Sequence, residues 1–413
     1  MTILEDAVSE EVERIGEADI LVGIPSFRNA DTIARVVRQS ALGMVTYFPH
    51  LSPVLVNSDG GSTDRTRDVV LNTEVPEQVT KIVTPYRGIA GKGSAFHTIF
   101  EIADRLKVKV CIVVDSDLRS ITPEWIKWLG APVDEGLYDF VTPHYLRYKY
   151  DGTITNALAY PLTRAMYGER IRQPIGGDFG LSGRLAGVYS ARDVWETDIA
   201  RFGIDIWMTT LAICEGFRVC QACMGIKLHN NKDPGSDLGA MFRQVVGTTF
   251  AQMKVYERNW MKVAGSVPAP VLGEECKEEP EGTEVSYENL IDHFRKGYED
   301  LHDIWRIVMR PENYREVAAI YATGEEDFAF SSGLWVRIVY DFAIAFNFGP
   351  VKRGSVVDAL IPLYCARTAN FVKKTHDMTS FEAEIEVQRG AEVFEALKDY
   401  LRHYWKEAEK ACS

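Results

Sequence analysis

Short apolar runs alternate with amphipathic stretches over the first part of the chain. The apolar runs have the length of buried strands, and stretches such as 32–40 and 65–71 between them have helical spacing. Strands that alternate with helices predict right-handed crossovers and a mostly parallel sheet, with ligands bound at the carboxyl ends of the strands. The runs that predict these strands are 20–25, 53–57, 79–84, 108–114 and, less clearly, one within 214–228.

Two aspartates end the fourth apolar run. Asp115 and Asp117 are two positions apart, so in an extended chain both carboxylates point the same way, and a divalent cation can be held there. The alternative is that acidic residues only end a strand and begin a turn. The other polar loops fall on the same predicted edge of the sheet, which favours a cation-assisted reaction on a phosphorylated substrate.

Three further residues stand at predicted strand ends or helix starts. Asp59, in the turn NSDGGSTDRT, offers a carboxylate to a base or ribose, although Asp-Gly-Gly is also an ordinary turn. Lys92, in GIAGKGSAF, lacks Walker spacing but can neutralise a diphosphate. His229, in IKLHNN, is more often structural as a lone histidine. Together with Asp117 and diphosphate oxygens, it would complete a Mg²⁺ or Mn²⁺ shell.

Composition and charge narrow the class of protein. The 413 residues are 46% hydrophobic, enough for a sizeable core, and the length suggests two domains or one domain with a large appendage. A net charge of −13 argues against a general nucleic-acid binder and does not favour binding to an anionic membrane surface. Residues 1–19 do not resemble a signal peptide, and no apolar span is long enough to cross a membrane, so a cytoplasmic protein is expected.

Two local patterns have structural interpretations. The apolar stretch 333–349 contains Arg337 and Asp341, which predicts a buried amphipathic helix. The seven cysteines are odd in number and scattered, so no disulfide framework is expected. Cys220 and Cys223 form a single CxxC, and buried strand positions are favoured over a zinc or redox site.

The sequence predicts an α/β catalytic domain over 1–267, a Pro-, Gly- and Glu-rich linker or long loop over 268–284, and a mainly helical region over 285–413. Aromatic residues of the helical region have spacings typical of core positions. The alternatives are an oligomer interface, such as that of a homodimer, or a cover over an acceptor cleft. The aromatics in question are Trp305, Trp335, Phe346 and Tyr364.

The motifs IPSFRN, NSDGGSTDRT, GKG, DSDL, QPIGGD and LHNN, in this order, resemble the nucleotide-sugar-dependent glycosyltransferases of the GT-A fold. The closer resemblance is to the glucosyl-3-phosphoglycerate synthase and glucosylglycerate synthase group, which are retaining enzymes, and it covers about 19–233. It implies a Rossmann-like, mostly parallel sheet with a nucleoside-diphosphate sugar donor, a small hydroxy-acid acceptor, and Mg²⁺ or Mn²⁺ as cofactor.

The same resemblance implies roles for individual residues. Asp117 and His229 would hold the metal, and Asp178 and Asp205 would face the sugar as catalytic residues together with Lys92. The donor would be bound by Pro25, Ser26, Phe27, Arg28, Asn29, Asp59, Lys92, Asp115 and Ser116. The acceptor would be bound by Gly152, Thr153, Thr155, Arg184 and Asn231.

The acceptor segment departs from the family pattern. Where the phosphoglycerate enzymes carry GRVT, this chain has Gly-Thr-Ile-Thr at 152–155, without the arginine. A hydrogen bond to a charged group contributes ~1.5–3 kcal/mol, so its loss favours an unphosphorylated acceptor such as D-glycerate. Arg147, Lys149 or Arg184 are candidate substitute cations.

Several functional alternatives stay open at this stage. One is transfer of glucose or mannose to 3-phosphoglycerate, and another is transfer to a lipid or polysaccharide. A third is a nucleotide-sugar-binding module without activity. Stereochemistry is also open, since Asp178 or Asp205 would serve as general base if the reaction inverted the anomeric centre.

Overall fold

The computed structural model describes residues 2–228, 239–274, 278–282 and 285–412. The chain forms two compact units whose segments interleave. The sheet unit comprises Met1–Leu146, Ile171–Asn230 and Ala269–Lys277, and the helical unit comprises Arg147–Arg170, Asn231–Pro268 and Glu278–Ser413. The described segments 147–170 and 239–267, expected in the α/β domain, belong to the helical unit, and 269–274, expected in the linker, belongs to the sheet unit.

Eight of the described strands form one sheet in the order β10-β8-β5-β7-β4-β1-β2-β3. Every neighbouring pair is parallel except the two that β7 makes with β4 and β5. Two-residue strands β6 and β9 pair separately in the helical unit. The strands are β1 Ile20–Ser26, β2 Pro53–Asp59, β3 Thr80–Pro85, β4 Val110–Val113, β5 Phe140–Leu146, β6 Glu169–Arg170, β7 Phe179–Ser182, β8 Val219–Ile226, β9 Val267–Pro268 and β10 Val271–Leu272.

Helices follow most strands and cover both faces of the sheet. Alternating residues of β1 show this arrangement, because Ile20 and Val22 pack into one buried cluster while Leu21 packs into another. The helices are α1 Asp6–Ile15, α2 Ile33–Tyr47, α3 Thr66–Asn72, α4 Lys92–Arg105, α5 Pro123–Asp134, α6 Tyr160–Tyr167, α7 Gly183–Ser190, α8 Ile204–Cys214, α9 Gly239–Val255, α10 Glu257–Trp260, α11 Tyr287–Val308, α12 Pro311–Tyr321, α13 Ser332–Phe348, α14 Arg353–Thr375, α15 Ser380–Ala396 and α16 Lys398–Cys412.

The predicted fold class, a mostly parallel α/β sheet with a helical region towards the carboxyl terminus, is confirmed. The first four predicted strands correspond to β1 to β4, and the late one corresponds to β8. Cys220 and Cys223 both lie buried on β8, as predicted, and no disulfide joins the cysteines of the described ranges. No strand was predicted for β5, because Thr142, Pro143 and His144 interrupt its apolar run.

Trp305, Trp335, Phe346 and Tyr364 of the helical unit are all buried, as predicted. Trp305, Trp335 and Tyr364 are at most 1% exposed. The apolar stretch around 333–349 forms α13, and its Asp341 accepts hydrogen bonds from the Arg310 backbone N at 2.9 Å and Asn313 Nδ2 at 2.7 Å. Within the described part of the chain, no helix has the length and apolar character needed to span a bilayer.

Lys149 is a buried structural cation of the helical unit. Its Nζ donates to the carbonyl oxygens of Thr375 at 2.7 Å, His376 at 2.8 Å and Met378 at 2.6 Å, where α14 ends. These carbonyls lie where a helix leaves acceptors without backbone partners, and a cation there also complements the helix dipole. All three ammonium protons of Lys149 have acceptors, so it is not a spare cation for an acceptor.

We expect Lys149→Met to lower the free energy of unfolding by ~1.5–3 kcal/mol, because buried carbonyls lose a charged donor. The measurement is urea unfolding of the full chain. Lys352→Met is the matched control, since Lys352 is exposed at the opposite end of α14 and its loss should change little. Equal unfolding midpoints for both variants would contradict the structural role of Lys149.

Candidate active site at the carboxyl edge of the sheet

Asp115 lies two residues beyond β4 and is held by two lysines. Its Oδ1 is 2.7 Å from Lys92 Nζ, at the first residue of α4, and its Oδ2 is 3.0 Å from Lys227 Nζ, just after β8. Parallel strands bring their carboxyl ends to one edge, so residues distant in sequence meet here. Burial raises the pKa of Asp115, but attraction to Lys92 and Lys227 outweighs this, and its pKa lies well below the usual range.

Asp178 reaches the same edge because β7 runs antiparallel to its neighbours. Phe179, the first residue of β7, pairs with Val113 at the end of β4, so the residue before β7 lies beside Asp115. Asp178 is fully buried, and its Oδ1 accepts a 2.7 Å hydrogen bond from the backbone N of Asp115. Its Oδ2 lies 2.8 Å from Lys227 Nζ and also accepts a hydrogen bond from the Tyr145 hydroxyl. Asp178 is thus the anchor of the cluster.

Asp205 is held less well. It lies in the first turn of α8, buried, with Oδ1 3.4 Å from Lys92 Nζ. Among the described residues this oxygen has no hydrogen-bond partner. Burial raises the pKa of Asp205 and the Asp115 charge adds to the rise, although Lys92 opposes it. For Lys92, burial lowers the pKa, but Asp115 and Asp205 more than compensate and the pKa is raised.

Two glycines permit these approaches. Gly177 has φ +90°, and a Cβ there would lie 2.2 Å from Asp115 Oδ2. A Cβ at Gly93, next to Lys92, would lie 1.9 Å from the Ile199 carbonyl oxygen. The glycines of GKG and QPIGGD therefore serve close packing around the cluster. Gln173 of the second motif donates from Nε2 to the Tyr145 carbonyl oxygen at 3.1 Å and fixes the end of β5.

The predicted donor-side residues lie on two adjacent loops after β1 and β2. Asp59 is fully buried, and its Oδ1 accepts hydrogen bonds from the backbone N atoms of Gly61 at 3.0 Å and Ser62 at 2.7 Å. Its Oδ2 accepts from Ser26 Oγ and Ser62 Oγ, both at 2.7 Å. In this structure Asp59 organises its own loop, and its oxygens are not open to a base or ribose.

Asn29 connects these loops to the turn after β4. Its Oδ1 accepts from the backbone N of Phe27 at 3.0 Å and from Ser116 Oγ at 2.8 Å. Arg28 has φ +58°, an uncommon conformation for a residue with a Cβ, and its backbone N donates to Ser62 Oγ at 2.8 Å. Pro25 is buried at the end of β1. Five of the predicted donor residues are thus joined to the Asp59 loop or to one another by hydrogen bonds. They are Ser26, Phe27, Arg28, Asn29 and Ser116.

Phe27 is the exposed aromatic residue of this region, with 55% of its surface accessible. A Cβ at Gly60 would lie 3.1 Å from the Phe27 ring and 3.2 Å from the Tyr86 hydroxyl oxygen, so both aromatics border the same glycine. Tyr86 is itself fixed by a 2.8 Å hydrogen bond from the backbone N of Gly91. An exposed ring beside a glycine is a surface on which a planar base can stack.

Several predicted acceptor residues are not part of the cluster around Asp115. Arg184 follows β7 at the amino edge of the sheet, where it is 3.6 Å from Asp139, so the structure does not bring it to Asp115. Gly152, Thr153 and Thr155 belong to the helical unit, and the Thr153 hydroxyl is hydrogen-bonded to the Tyr364 hydroxyl there. The predicted residues outside the described range are His229 and Asn231.

The described residues offer part of a metal site. Asp117 is half-buried in the turn after β4, at the same edge as Asp115. Both oxygens of Asp115 are engaged by lysines, and Asp117 is the second carboxylate of this turn. Within the described ranges no three His, Cys, Asp or Glu side chains cluster as a complete metal site. A carboxylate that relies on further oxygen ligands suits Mg²⁺ or Mn²⁺, which accept oxygens from phosphates.

Lys227 and Tyr145 are site residues that the sequence analysis missed. Lys227 is 7% exposed, and besides both aspartates it donates to the Gly176 carbonyl oxygen at 2.9 Å. Lys227 lies in IKLHNN two positions before His229, and only the histidine of this motif was predicted to be a site residue. A lysine directly after an apolar run, opposite two buried aspartates, was the available signal.

Comparisons with known proteins are limited to structures. No family model matches the chain, and no curated protein matches it. Solved structures of glucosyl-3-phosphoglycerate synthase from Mycobacterium tuberculosis are similar over part of it. The complex with phosphoglyceric acid is 21% identical, with a TM-score of 0.46, over 59% of this chain and 83% of that one. The complex with Mn²⁺, uridine diphosphate and glucosyl-3-phosphoglycerate is 22% identical, with a TM-score of 0.45, over 61% and 86%.

Neutralising Asp178 and neutralising Asp205 should change the free energy of unfolding in different ways. We expect Asp178→Asn to lower the free energy of unfolding at pH 7 by ~3–5 kcal/mol, because Lys227 loses a buried partner. We expect Asp205→Asn to leave it unchanged or raise it by ~0.5–2 kcal/mol, because the folded state disfavours that carboxylate. The measurement is urea unfolding of each variant.

The pH dependence of Asp205→Asn provides the control. The folded-state pKa of Asp205 is raised, so the charged form destabilises the wild type above that pKa, and protonation removes the cost as pH falls. Any gain in the free energy of unfolding of the variant over the wild type should therefore be largest at pH 7. It should shrink as the pH falls through this raised pKa. A gain that grew on acidification, or a marked loss of stability at pH 7, would contradict the assignment.

Proposed function

We propose that the protein is a metal-dependent glycosyltransferase that moves a hexose, glucose in the first instance, from a nucleoside-diphosphate sugar to a small hydroxy acid such as D-glycerate. The observation that supports this most is the fixed Asp115 carboxylate between Lys92 and Lys227, with Asp117 beside it at the carboxyl edge of the sheet. An edge with two buried cations, an acidic turn and an aromatic loop suits a diphosphate joined to a base and a sugar.

The donor's base would stack on Phe27, with its ribose near the loops that Asp59 and Asn29 organise. The diphosphate would then lie towards Lys92 and Lys227, which the carboxylates of Asp115, Asp178 and Asp205 hold in place. Fixed cations aimed at a leaving group stabilise charge that develops as the bond breaks, and this electrostatic contribution is usually the largest one in such sites.

Asp117 and His229 would hold Mg²⁺ or Mn²⁺ on the diphosphate, as the resemblance of their motifs implies. When bound, the ion supplies Lewis-acid stabilisation of the departing diphosphate oxygens. Asp115 would keep Lys92 and Lys227 in place, and the sugar hydroxyls would meet Asp115 and Asp205. Asp178, fully buried and hydrogen-bonded, would position Asp115 and Lys227 without touching the sugar.

The transfer itself is an exchange of bonds at the anomeric carbon. A hydroxyl oxygen of the acceptor forms a bond to this carbon while the bond to the diphosphate oxygen breaks. In the retaining reaction that we propose, the acceptor attacks from the side that the leaving group vacates, and the hydroxyl proton goes to the departing diphosphate. This reaction needs no strong base on the opposite side of the sugar, which agrees with the occupied oxygens of Asp178.

An unphosphorylated acceptor is favoured by the cations that the structure shows to be engaged. Lys149 donates to three carbonyls, Arg184 lies at the amino edge, and Arg147 is 3.4 Å from Asp151. Lys149 and Arg184 therefore do not replace the arginine that the phosphoglycerate enzymes carry in GRVT. Arg147 is already paired with Asp151, although its Nη1 would lie 3.5 Å from a Cβ at Gly152 of that segment. A phosphorylated acceptor would lose charge-assisted contacts of ~1.5–3 kcal/mol each.

A donor-by-acceptor matrix tests the reaction. UDP-, ADP- and GDP-glucose and GDP-mannose are each combined with D-glycerate or 3-phosphoglycerate and Mg²⁺, and the glycosylated product is quantified. We expect product with a glucose donor and D-glycerate, at a rate at least tenfold above that with 3-phosphoglycerate. Donor binding without product from any pair would instead support a nucleotide-sugar-binding module.

Asp117→Ala tests the metal assignment. We expect at least a hundredfold loss of metal-dependent turnover, with an unchanged unfolding midpoint, because loss of one fixed ligand weakens charge stabilisation of the leaving group. Asp193→Ala is the matched control, since this aspartate is exposed beyond α7. Full turnover of Asp117→Ala at low Mg²⁺ would refute the role of this carboxylate.

A further inference from the structure

The helical unit contains a cavity whose lining residues all belong to that unit. It lies among a π-helical turn at Thr155–Ala159, α6, α13, α14 and α15, and comprises about 450 Å³ of space between atoms, part of it open to solvent. Its inner part has room for roughly two water molecules. π-Helical turns are rare and frequently occur at functional sites. Apolar walls come from Ala157, Pro161, Trp335, Phe371, Val387 and Phe394.

Arg367 of α14 brings a positive charge to this cavity. A Cβ at Gly390, which also lines it, would lie 3.6 Å from Arg367 Nη2, so the guanidinium reaches the cavity wall. Among the described residues, none forms a hydrogen bond or ion pair with this guanidinium. Burial lowers the pKa of Arg367 to about 10, with Glu386 opposing the shift, so the side chain stays charged at neutral pH.

Glu386, the carboxylate that acts electrostatically on Arg367, is already paired with two other cations. Glu386 accepts from Lys374 at 2.5 Å and from Arg389 at 2.6 Å. Three cations therefore share one described carboxylate, and Arg367 is the one without contact to it. Arg367 is half-buried, so its guanidinium keeps some contact with water, and an anion in the cavity would supply the partner that the described residues do not.

The polar groups around the cavity are few and small. Thr153, Asn156, Ser332 and Thr368 line it together with Arg367. A planar guanidinium offers two parallel donors, which match the two oxygens of a carboxylate. A dianion such as phosphate would call for more than one cation, and the aromatic walls suit a short carbon skeleton. These features select a monoanion with a small apolar part.

We propose that this cavity is a binding site for a small carboxylate of two or three carbons, held by Arg367 through a bidentate ion pair. Thr153 and Asn156 border the site and can contact the hydroxyl groups of such an acid. The proposal stands apart from the transfer reaction, because it depends only on residues of the helical unit.

Isothermal titration of the full-length protein with D-glycerate, L-lactate and acetate tests it, at an ionic strength held constant with sodium chloride. Uncharged glycerol is the comparison ligand. We expect binding of the carboxylates but not of glycerol, and roughly ten- to hundredfold weaker binding to Arg367→Met. Arg389→Met is the matched control, since it removes an equal charge from the same cluster but does not line the cavity, and its affinity should be unchanged.

Arg367→Lys serves as the second variant if Arg367→Met does not fold. It keeps the charge but loses the paired donors, and we expect affinity between those of the wild type and the methionine variant. Equal carboxylate affinity in the wild type and both Arg367 variants would overturn the proposal, as would the absence of carboxylate binding to the wild type.

The source of the carboxylate is decided by kinetics of the same variants. A raised KM for the acceptor with Arg367→Lys, at unchanged donor KM, would identify the bound acid as the acceptor. Unchanged acceptor KM together with weakened binding would identify a separate ligand. The titration does not depend on turnover, so loss of the proposed activity would leave this site testable.

Discussion

The site at the carboxyl edge depends on a buried ion cluster in which two lysines share Asp115 and one of them also binds Asp178. Removing an ion from water costs several kcal/mol, so such a cluster is stable only if nearly every oxygen and ammonium group has a partner. Lys227 meets this condition with two carboxylates and a carbonyl. The cluster joins β4, β7 and β8, so the site forms only when these distant strands are in register.

The reversed strand β7 makes this arrangement possible. In a purely parallel sheet, residues that precede a strand lie at the amino edge, away from bound ligands. Because β7 is antiparallel to β4 and β5, Asp178 and the glycines before it lie at the carboxyl edge. The same reversal sends the residues after β7 to the other edge. One strand direction thus explains both the anchoring role of Asp178 and the distance of Arg184 from the site.

The antiparallel direction of β7 could not be predicted from the sequence, whereas much of the rest of the sheet could. Apolar runs ending in polar loops predicted β1 to β4 and placed Asp59, Lys92 and Asp115 on one edge, because that inference needs only local pattern and parallel topology. The direction of β7 depends on long-range pairing that four residues cannot specify, so Arg184 was assigned to the wrong edge. Interleaving of the two units, with 147–170 in the helical one, is likewise a property of tertiary contacts.

Buried cations of the helical unit differ in how their protons are used, and this distinguishes structural roles from binding roles. Lys149 has an acceptor for each ammonium proton. Lys398 donates to the carbonyl oxygens of Ala165 at 2.6 Å and Val263 at 2.9 Å. Burial is the main reason that the pKa of Lys398 falls to about 7, yet its donors remain satisfied. Arg367 has five donors, a cavity in front of them and no partner among the described residues. Arg367 is half-buried beside a cavity that is partly open to solvent, so a bound anion would pair with a charge that the described residues leave to water.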